Sequence, residues 1–381
     1  TQVYDATARE LMSYGLKEVA RFLGVTPEDG GGRTYIEGTK IQEAFMEDRD
    51  RFLSYLEDDL RETEGVADRL LPTYFEQTKT FPTTLQEACL RGTASKVDLV
   101  FQEKYFHLKA ACPMPAEPRP YEGAYTASFK EGVFKQVLHF DVASLYPSIL
   151  LMMGRNPDTD TEGVFIPTLR GLRDYRLKYK KLAQESKDEK MALEYEARQS
   201  SFKILINSFY GYLGFSGARF GDAELASQVA AKGREILKSL IAYFESVGCS
   251  PLEADTDGIY VEASEYYDSA VSLLADAQSI LPEGIELEYD GRYESMFCYK
   301  AKNYALYDGS RVTIRGSAMR SRGLEPFLRS LTQSLIWYLL GASEEDPAVL
   351  ASEMESKIKS GSCPIELLAK SEILSQNPQA Y

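Results

Sequence analysis

Two short acidic motifs lie far apart in the chain, Phe140-Asp141-Val142-Ala143-Ser144-Leu145-Tyr146-Pro147-Ser148 and Ala254-Asp255-Thr256-Asp257-Gly258. Each acid closes an apolar run, where an ionised carboxylate is costly unless a cation compensates it. Val137, Leu138 and Phe140 predict a buried strand that carries Asp141 to its tip. Leu252 to Ala254 and Ile259 to Val261 predict a hairpin whose turn holds Asp255 and Asp257. Three carboxylates on strand ends point to one metal site. Taken singly, Asp141 is equally a cap or turn residue, and Asp255 to Gly258 an ordinary Asp-Gly hairpin turn.

A second constellation lies between the motifs. Arg173, Arg176 and Lys180 are spaced by three and four residues and share one helix face; Lys203, Asn207 and Tyr210 do the same on a following helix. Phe202, Ile206 and Phe209 form a separate apolar stripe. Two such helices, antiparallel, offer a fork of charges matched to phosphates, with Arg as planar donor and Lys as point charge. A solvated basic face is the competing reading.

The elements that must position these residues follow from periodicity and breakers. Helix is predicted over residues 5–23 and 40–75, with a Gly30-Gly31-Gly32 loop between. Pro113, Pro115, Pro118 and Pro120 mark a boundary segment, and strand-like text runs from Tyr121 to Phe140. A helix is predicted from Pro147, two more over 168–212 joined near Ser186 to Glu189, and a long one from Gly221 to Val247. Mixed strands to about Arg315 and terminal helices complete an α+β reading.

Composition narrows the class. The 381 residues are 44% hydrophobic and 27% charged, enough for two or three cores. The net charge of -15 argues against nonspecific nucleic-acid binding by bulk charge. Residues 1–64 and 341–381 supply most of it, at -7 and -4, whereas Arg170 to Lys181 carries six bases against Asp174 alone. Five unclustered cysteines and two histidines, His107 and His139, indicate neither a disulfide framework nor a His-based cage. The longest apolar stretch, Ser334 to Ala342, is too short to span a bilayer, so no membrane partner is expected. The cysteine usage makes a reducing cytoplasm the expected location, nucleoid-associated if the source is prokaryotic. The start at Thr1 without methionine suggests an excised fragment.

Together the motifs resemble those of family B DNA-directed DNA polymerases. Asp141 to Ser148 is similar to the first palm motif, Lys203-Ile204-Leu205-Ile206-Asn207-Ser208-Phe209-Tyr210-Gly211 to the fingers motif, and Asp255-Thr256-Asp257 to the third motif, in the family's order. Tyr121-Glu122-Gly123-Ala124 resembles the template-binding linker, and Lys302-Asn303-Tyr304 the primer-binding Lys-x-Tyr. Tyr55-Leu56-Glu57-Asp58-Asp59 resembles the third exonuclease motif, with Tyr55 and Asp59 at the matched positions. The resemblance implies a palm with an antiparallel sheet, two-helix fingers, a helical partial thumb and a remnant of an RNase H-like exonuclease domain. The implied division is 1–110 exonuclease-like remnant, 111–167 and 213–320 palm, 168–212 fingers and 321–381 partial thumb.

The resemblance also implies roles. Asp141 and Asp257 would bridge two Mg²⁺ ions, with Mn²⁺ as the substitute, Asp255 as accessory and the Val142 carbonyl as a further ligand. Backbone N–H groups of Ser144 and Leu145 would cradle the triphosphate, and Arg176, Lys180 and Lys203 would clamp it. Asn207 and Tyr210 would border the nascent base pair, while Tyr146 would lie under the sugar and exclude a 2′-hydroxyl. Tyr121, Gly123, Ala124, Lys302 and Tyr304 would contact DNA. Primer-template DNA and dNTPs are the implied partners, and accessory replication or repair proteins stay unidentified.

Two departures qualify the expected activity. Residues 1–54 lack the upstream exonuclease carboxylates, and Asp59 alone cannot hold two metals, so no proofreading is expected. About 60 residues after Arg322 are too few for a full thumb, which predicts weak duplex binding and low activity for the isolated fragment. The alternatives are a catalytically inactive polymerase-fold nucleic-acid-binding protein and a nuclease centred on Asp59.

Overall fold

A computed structural model describes residues 11, 14–27, 31–115, 117, 119–320 and 324–370. Residues 5–10, 12 and 13 of the helix expected over 5–23, and Gly30, Pro118 and Arg322, therefore lie outside the described residues. In chain order the helices are α1 (Leu16–Phe22), α2 (Ile41–Glu47), α3 (Arg49–Thr78), α4 (Leu85–Leu90) and α5 (Thr93–Leu108). After two strands come α6 (Leu145–Met153), α7 (Phe165–Glu185), α8 (Glu189–Leu213) and α9 (Ala223–Ser246). The remainder are α10 (Ala270–Gln278), α11 (Ser317–Arg320), α12 (Pro326–Leu340), α13 (Pro347–Lys359) and α14 (Ile365–Leu368). Among the described residues no helix is long and apolar enough to cross a membrane.

The chain divides into two compact units, Thr1–Arg119 with Arg155–Ala223, and Pro120–Gly154 with Glu224–Tyr381. The division falls inside the 111–167 stretch expected to be continuous, because residues 155–165 are tied to the first unit. There the Asp160 carboxylate accepts from the Tyr105 hydroxyl at 2.8 Å and from the Phe165 N–H at 2.8 Å.

The first unit is helical among its described residues. Helices α7 and α8 are antiparallel neighbours, with Tyr175 against Phe202 (4.9 Å between ring centroids) and Tyr179 against Tyr195 (5.8 Å). The connecting turn ends at Asp188, whose carboxylate caps α8 by accepting from the Met191 N–H. Their base rests on Phe101 of α5, which stacks on Phe165 at 4.9 Å and meets Phe209 edge-on at 5.6 Å. Buried Asp98 pins the far end of α8. It accepts from the Tyr212 hydroxyl at 2.7 Å, the Arg219 N–H at 3.2 Å and the Arg219 guanidinium at 2.5 Å. Removing one member of such a buried set strands its partners. Asp98→Ala is expected to lower unfolding stability by ~3 kcal/mol, read from urea midpoints; an unchanged midpoint would show the set to be dispensable.

The second unit is built on a seven-stranded antiparallel sheet in the order β1-β3-β4-β2-β5-β6-β7. The strands are β1 (Thr126–Ser128), β2 (Gly132–Val142), β3 (Ser250–Asp255), β4 (Gly258–Glu262), β5 (Leu287–Lys300), β6 (Asn303–Tyr307) and β7 (Val312–Arg315). The central strand β2 reads as foreseen: Val137, Leu138, Phe140 and Val142 are fully buried, and Phe140 stacks on Phe244 of α9 at 5.0 Å. Register places functional side chains in rows. Asp255 pairs with Gly258, Gly258 with Asp141, and Asp141 with Glu288. One row further in, Glu253 pairs with Tyr260 and Tyr260 with His139. Because strand side chains alternate with period two, Glu253 and Asp255 share one face of β3, and His139 and Asp141 one face of β2.

Candidate functional site

The site is set by the two-residue turn between β3 and β4. The Asp257 N–H donates to the Asp255 carbonyl at 2.7 Å, and Thr256 between them has φ +66°. That combination is the rare, strained γ-turn, at a β-branched residue for which positive φ is an outlier. The surroundings hold it. The Thr256 N–H donates to the Tyr125 carbonyl at 2.9 Å, the Thr256 hydroxyl donates to Asp255 Oδ1 at 3.0 Å, and the Val142 N–H donates to the Asp257 carbonyl at 2.9 Å. The last bond welds the turn to the strand that carries Asp141.

Glycine at 258 does more than complete an Asp-Gly turn. A Cβ there would lie 2.8 Å from His139 Nε2 and 3.4 Å from Asp141 Oδ1, so a side chain would displace the groups bordering the carboxylate. His139 stacks on Tyr260 at 4.0 Å, and its Nδ1 lies 3.0 Å from Asp290 Oδ2.

Electrostatics single out two of the three aspartates. Burial, then the neighbouring Asp257, raises the Asp141 pKa to about 6, against a smaller opposing effect of His139. Burial, then Asp255, raises that of Asp257 to about 6. Asp255 is paired, its Oδ1 2.9 Å from Lys302 Nζ. Among the described residues no three His, Cys, Asp or Glu side chains converge as a complete metal cage. A half-buried pair of carboxylates with charge left uncompensated nevertheless suits a divalent cation that completes its shell with backbone, water or ligand oxygens.

The rest of the first motif surrounds this pair. Val142 is fully buried. Ser144 is left-handed (φ 47°, ψ 52°) and begins α6 without a side-chain cap. The N–H groups of Ser144, Leu145 and Tyr146 thus belong to a helix start, and Pro147 has none to give. Tyr146 is half-buried, and burial pushes its hydroxyl pKa up to about 12. Its ring lies against Gly233 of α9, where a Cβ would sit 3.0 Å from Tyr146 Cε1. On the next residue, the Arg234 guanidinium donates to the carbonyls of Glu122 (2.8 Å) and Gly123 (2.7 Å) and pairs with the Glu122 carboxylate at 3.1 Å. Tyr121, Gly123 and Ala124 are thereby held beside α9, with Gly123 and Ala124 exposed.

Lys302 and Tyr304 part company. Lys302 is exposed enough to meet a ligand, but its ammonium is engaged by Asp255. Tyr304 is 8% exposed and packs in the sheet core with Val137, Leu252 and Tyr260, its hydroxyl 3.4 Å from that of Tyr260. Tyr304, Ala305 and Leu306 are all buried, so both faces of β6 are covered and the Tyr304 ring is packed rather than presented to solvent.

The remaining expected residues belong to the first unit. On α8, Lys203 and Asn207 are exposed and Tyr210 half-buried, opposite the buried stripe Phe202, Ile206 and Phe209. On α7, Arg176 and Lys180 are half-buried, while Arg173 is paired with adjacent Asp174 at 2.9 Å. Tyr55 and Asp59 lie on α3 in a cluster centred on Arg33. Its guanidinium binds Asp59 and both Glu62 oxygens, the latter at 2.7 Å, and lies over the Tyr55 ring. A cation already sits on Asp59.

Gly233, Arg234, Glu253 and Glu288 were not singled out from sequence. A glycine inside a strongly periodic helix was the one available signal for Gly233; the others depend on pairings distant in sequence.

The chain belongs to DNA polymerase family B, whose family model matches residues 155–381. The DNA polymerase of Archaeoglobus fulgidus is 27% identical over 409 residues, covering 100% of this chain and 51% of that protein. DNA polymerase 1 of Pyrococcus abyssi is 33% identical over 279 residues, covering 65% of this chain and 36% of that protein. In fold, the chain is similar to the family B DNA polymerase of Pyrobaculum calidifontis, with a TM-score of 0.77 and 23% identity over 99% of this chain and 53% of that one. The chain spans about half the length of the curated relatives it matches.

The raised carboxylate pKa values carry a signed prediction. A folded-state pKa near 6 against 3.8 unfolded means that ionisation opposes folding; the penalty is complete above about pH 6 and fades towards pH 4. In metal-free protein, Asp257→Asn should therefore stabilise the fold at about pH 7.5 by ~1–3 kcal/mol, with little gain near pH 4. Thermal melts at both pH values test this; equal destabilisation at both would refute it.

Proposed function

We propose that this chain carries the nucleotidyl-transfer centre of a DNA-directed DNA polymerase, which adds dNTPs to a primer 3′-hydroxyl on a DNA template. The observation that carries the reading is the half-buried pair Asp141 and Asp257, each with its pKa raised to about 6 and left without a full counter-charge. Family membership supports it.

In this reading the sheet unit is the palm, α7 and α8 are the fingers, and α12 to α14 are part of the thumb. Asp141 and Asp257 would hold two divalent ions, with the Val142 carbonyl as a further ligand and Asp255 accessory. Such ions, when bound, acidify the primer hydroxyl and neutralise charge on the triphosphate. The chain's own groups do the rest. The N–H groups of Ser144 and Leu145 at the start of α6 orient phosphate oxygens. Arg176, Lys180 and Lys203, in the first unit, are cations suited to the charge of a triphosphate. Tyr146, backed by Gly233, would exclude a 2′-hydroxyl, and Asn207 and Tyr210 of the first unit are suited to border a base pair. Tyr121, Gly123 and Ala124, pinned by Arg234, follow the template strand.

Tyr55 and Asp59 have a different part. Arg33 satisfies Asp59 and Glu62 together, so the cluster ties α3 to the preceding loop, and this chain alone degrades no mismatched primer.

Primer extension with Mg²⁺ and dNTPs tests the reading. Asp257→Ala should reduce turnover by about a thousandfold or more, and normal turnover in this variant would overturn the assignment. Tyr146→Ala should admit ribonucleotides at least about tenfold better while deoxynucleotide extension persists; unchanged discrimination would remove Tyr146 from the sugar site.

A further inference from the structure

Lys302 occupies an unusual backbone state. It sits in the β5–β6 turn with φ +63°, a left-handed conformation that a lysine adopts at a cost and keeps only when its surroundings impose it. Three contacts impose it here. The Lys302 N–H donates to Glu253 Oε1 at 2.5 Å. Its carbonyl lies so close to Gly316 that a Cβ on that glycine would approach within 2.2 Å. Its ammonium reaches Asp255 Oδ1 at 2.9 Å.

Glu253 is the unexpected member. It is a fully buried acid on β3, opposite Ser128 of β1, and burial raises its pKa against the bond it accepts from the Lys302 N–H. An acid retained in such a place for packing alone is costly. Two residues along the same face of β3 stands Asp255. One face of β3 therefore grips one lysine twice, Glu253 by the backbone and Asp255 by the ammonium.

We infer that Glu253 is a positioning residue for the polymerase centre: by fixing the backbone of Lys302 it places the lysine ammonium on Asp255, leaving Asp141 and Asp257 as the cation-binding pair. The inference rests on the proposed function for its catalytic consequence, though not for its geometry. With Glu253 removed, the turn loses its anchor, Lys302 relaxes from the left-handed state and Asp255 is no longer neutralised. Two opposite effects follow. A positive charge leaves the neighbourhood of the pair, so divalent cations bind more tightly. Asp255 and Lys302 lose their fixed positions, so primer extension slows.

The test compares Glu253→Ala, Glu253→Gln, Lys302→Ala and the Ala/Ala double variant in the full protein. Mn²⁺ titration without DNA should show Glu253→Ala and Lys302→Ala each binding about three- to tenfold more tightly, with no further gain in the double variant. Hydrogen exchange of the Lys302 amide should accelerate at least about tenfold in Glu253→Ala, while Glu253→Gln, which retains the acceptor oxygen, stays close to wild type. In primer extension, Glu253→Ala and Lys302→Ala should lower kcat/KM, non-additively. Additive effects, unchanged Mn²⁺ affinity or an unprotected Lys302 amide in wild type would each overturn the inference. Absence of wild-type extension would instead sink the proposed function, leaving titration and exchange to decide the role of Glu253.

Discussion

Two carboxylates with too little compensation organise the second unit. Asp141 and Asp257 are drawn together by a main-chain bond from Val142 to Asp257 and by the antiparallel register of β2 and β4. Both are desolvated, and their charges oppose one another. Left alone, the arrangement works against folding at neutral pH. It persists because the sheet around it over-determines the backbone, and the proposed divalent cation would supply the missing charge.

Much of the neighbouring chemistry can be understood as support for that pair. The γ-turn at Thr256 stores strain at the point where Asp257 must face β2. Gly258 keeps its own position empty, so that His139 and Asp141 fit beside it. Lys302 pairs with Asp255 and, more weakly, opposes the rise in the Asp257 pKa. Further from the pair, Gly233 makes room for the Tyr146 ring, and Arg234 fixes the segment from Tyr121 to Ala124. The first unit follows the same logic in another setting, with Asp98 and Asp160 each satisfying several donors, and Arg33 satisfying Asp59 and Glu62.

What was legible in the sequence was local. The alternation of Val137 to Phe140 gave the central strand, the helix pair 168–212 became α7 and α8 over Phe165–Leu213, and the Asp-Thr-Asp-Gly hairpin fell where expected. The stripe Phe202, Ile206 and Phe209 was buried as its spacing required. The burial of Tyr304 was not legible because a short Lys-x-Tyr pattern carries no information on what covers the faces of a strand. Glu253 and Arg234 were invisible because a buried acid and a helix arginine acquire meaning only from partners 49 and 112 positions away. The position of Lys302 depends on a left-handed backbone that no propensity favours for lysine.

Asp141 and Asp257 must form one cation site if the second unit is a nucleotidyl-transfer centre. Mn²⁺ titration of metal-free protein, followed by calorimetry or by loss of the free-ion resonance signal, addresses this without DNA or catalysis. Binding is expected at about pH 7.5, to weaken at least tenfold by about pH 5 as the two carboxylates take up protons, and to be abolished by Asp141→Asn and by Asp257→Asn alike. Binding that survives either substitution, or that ignores pH across this range, would contradict it.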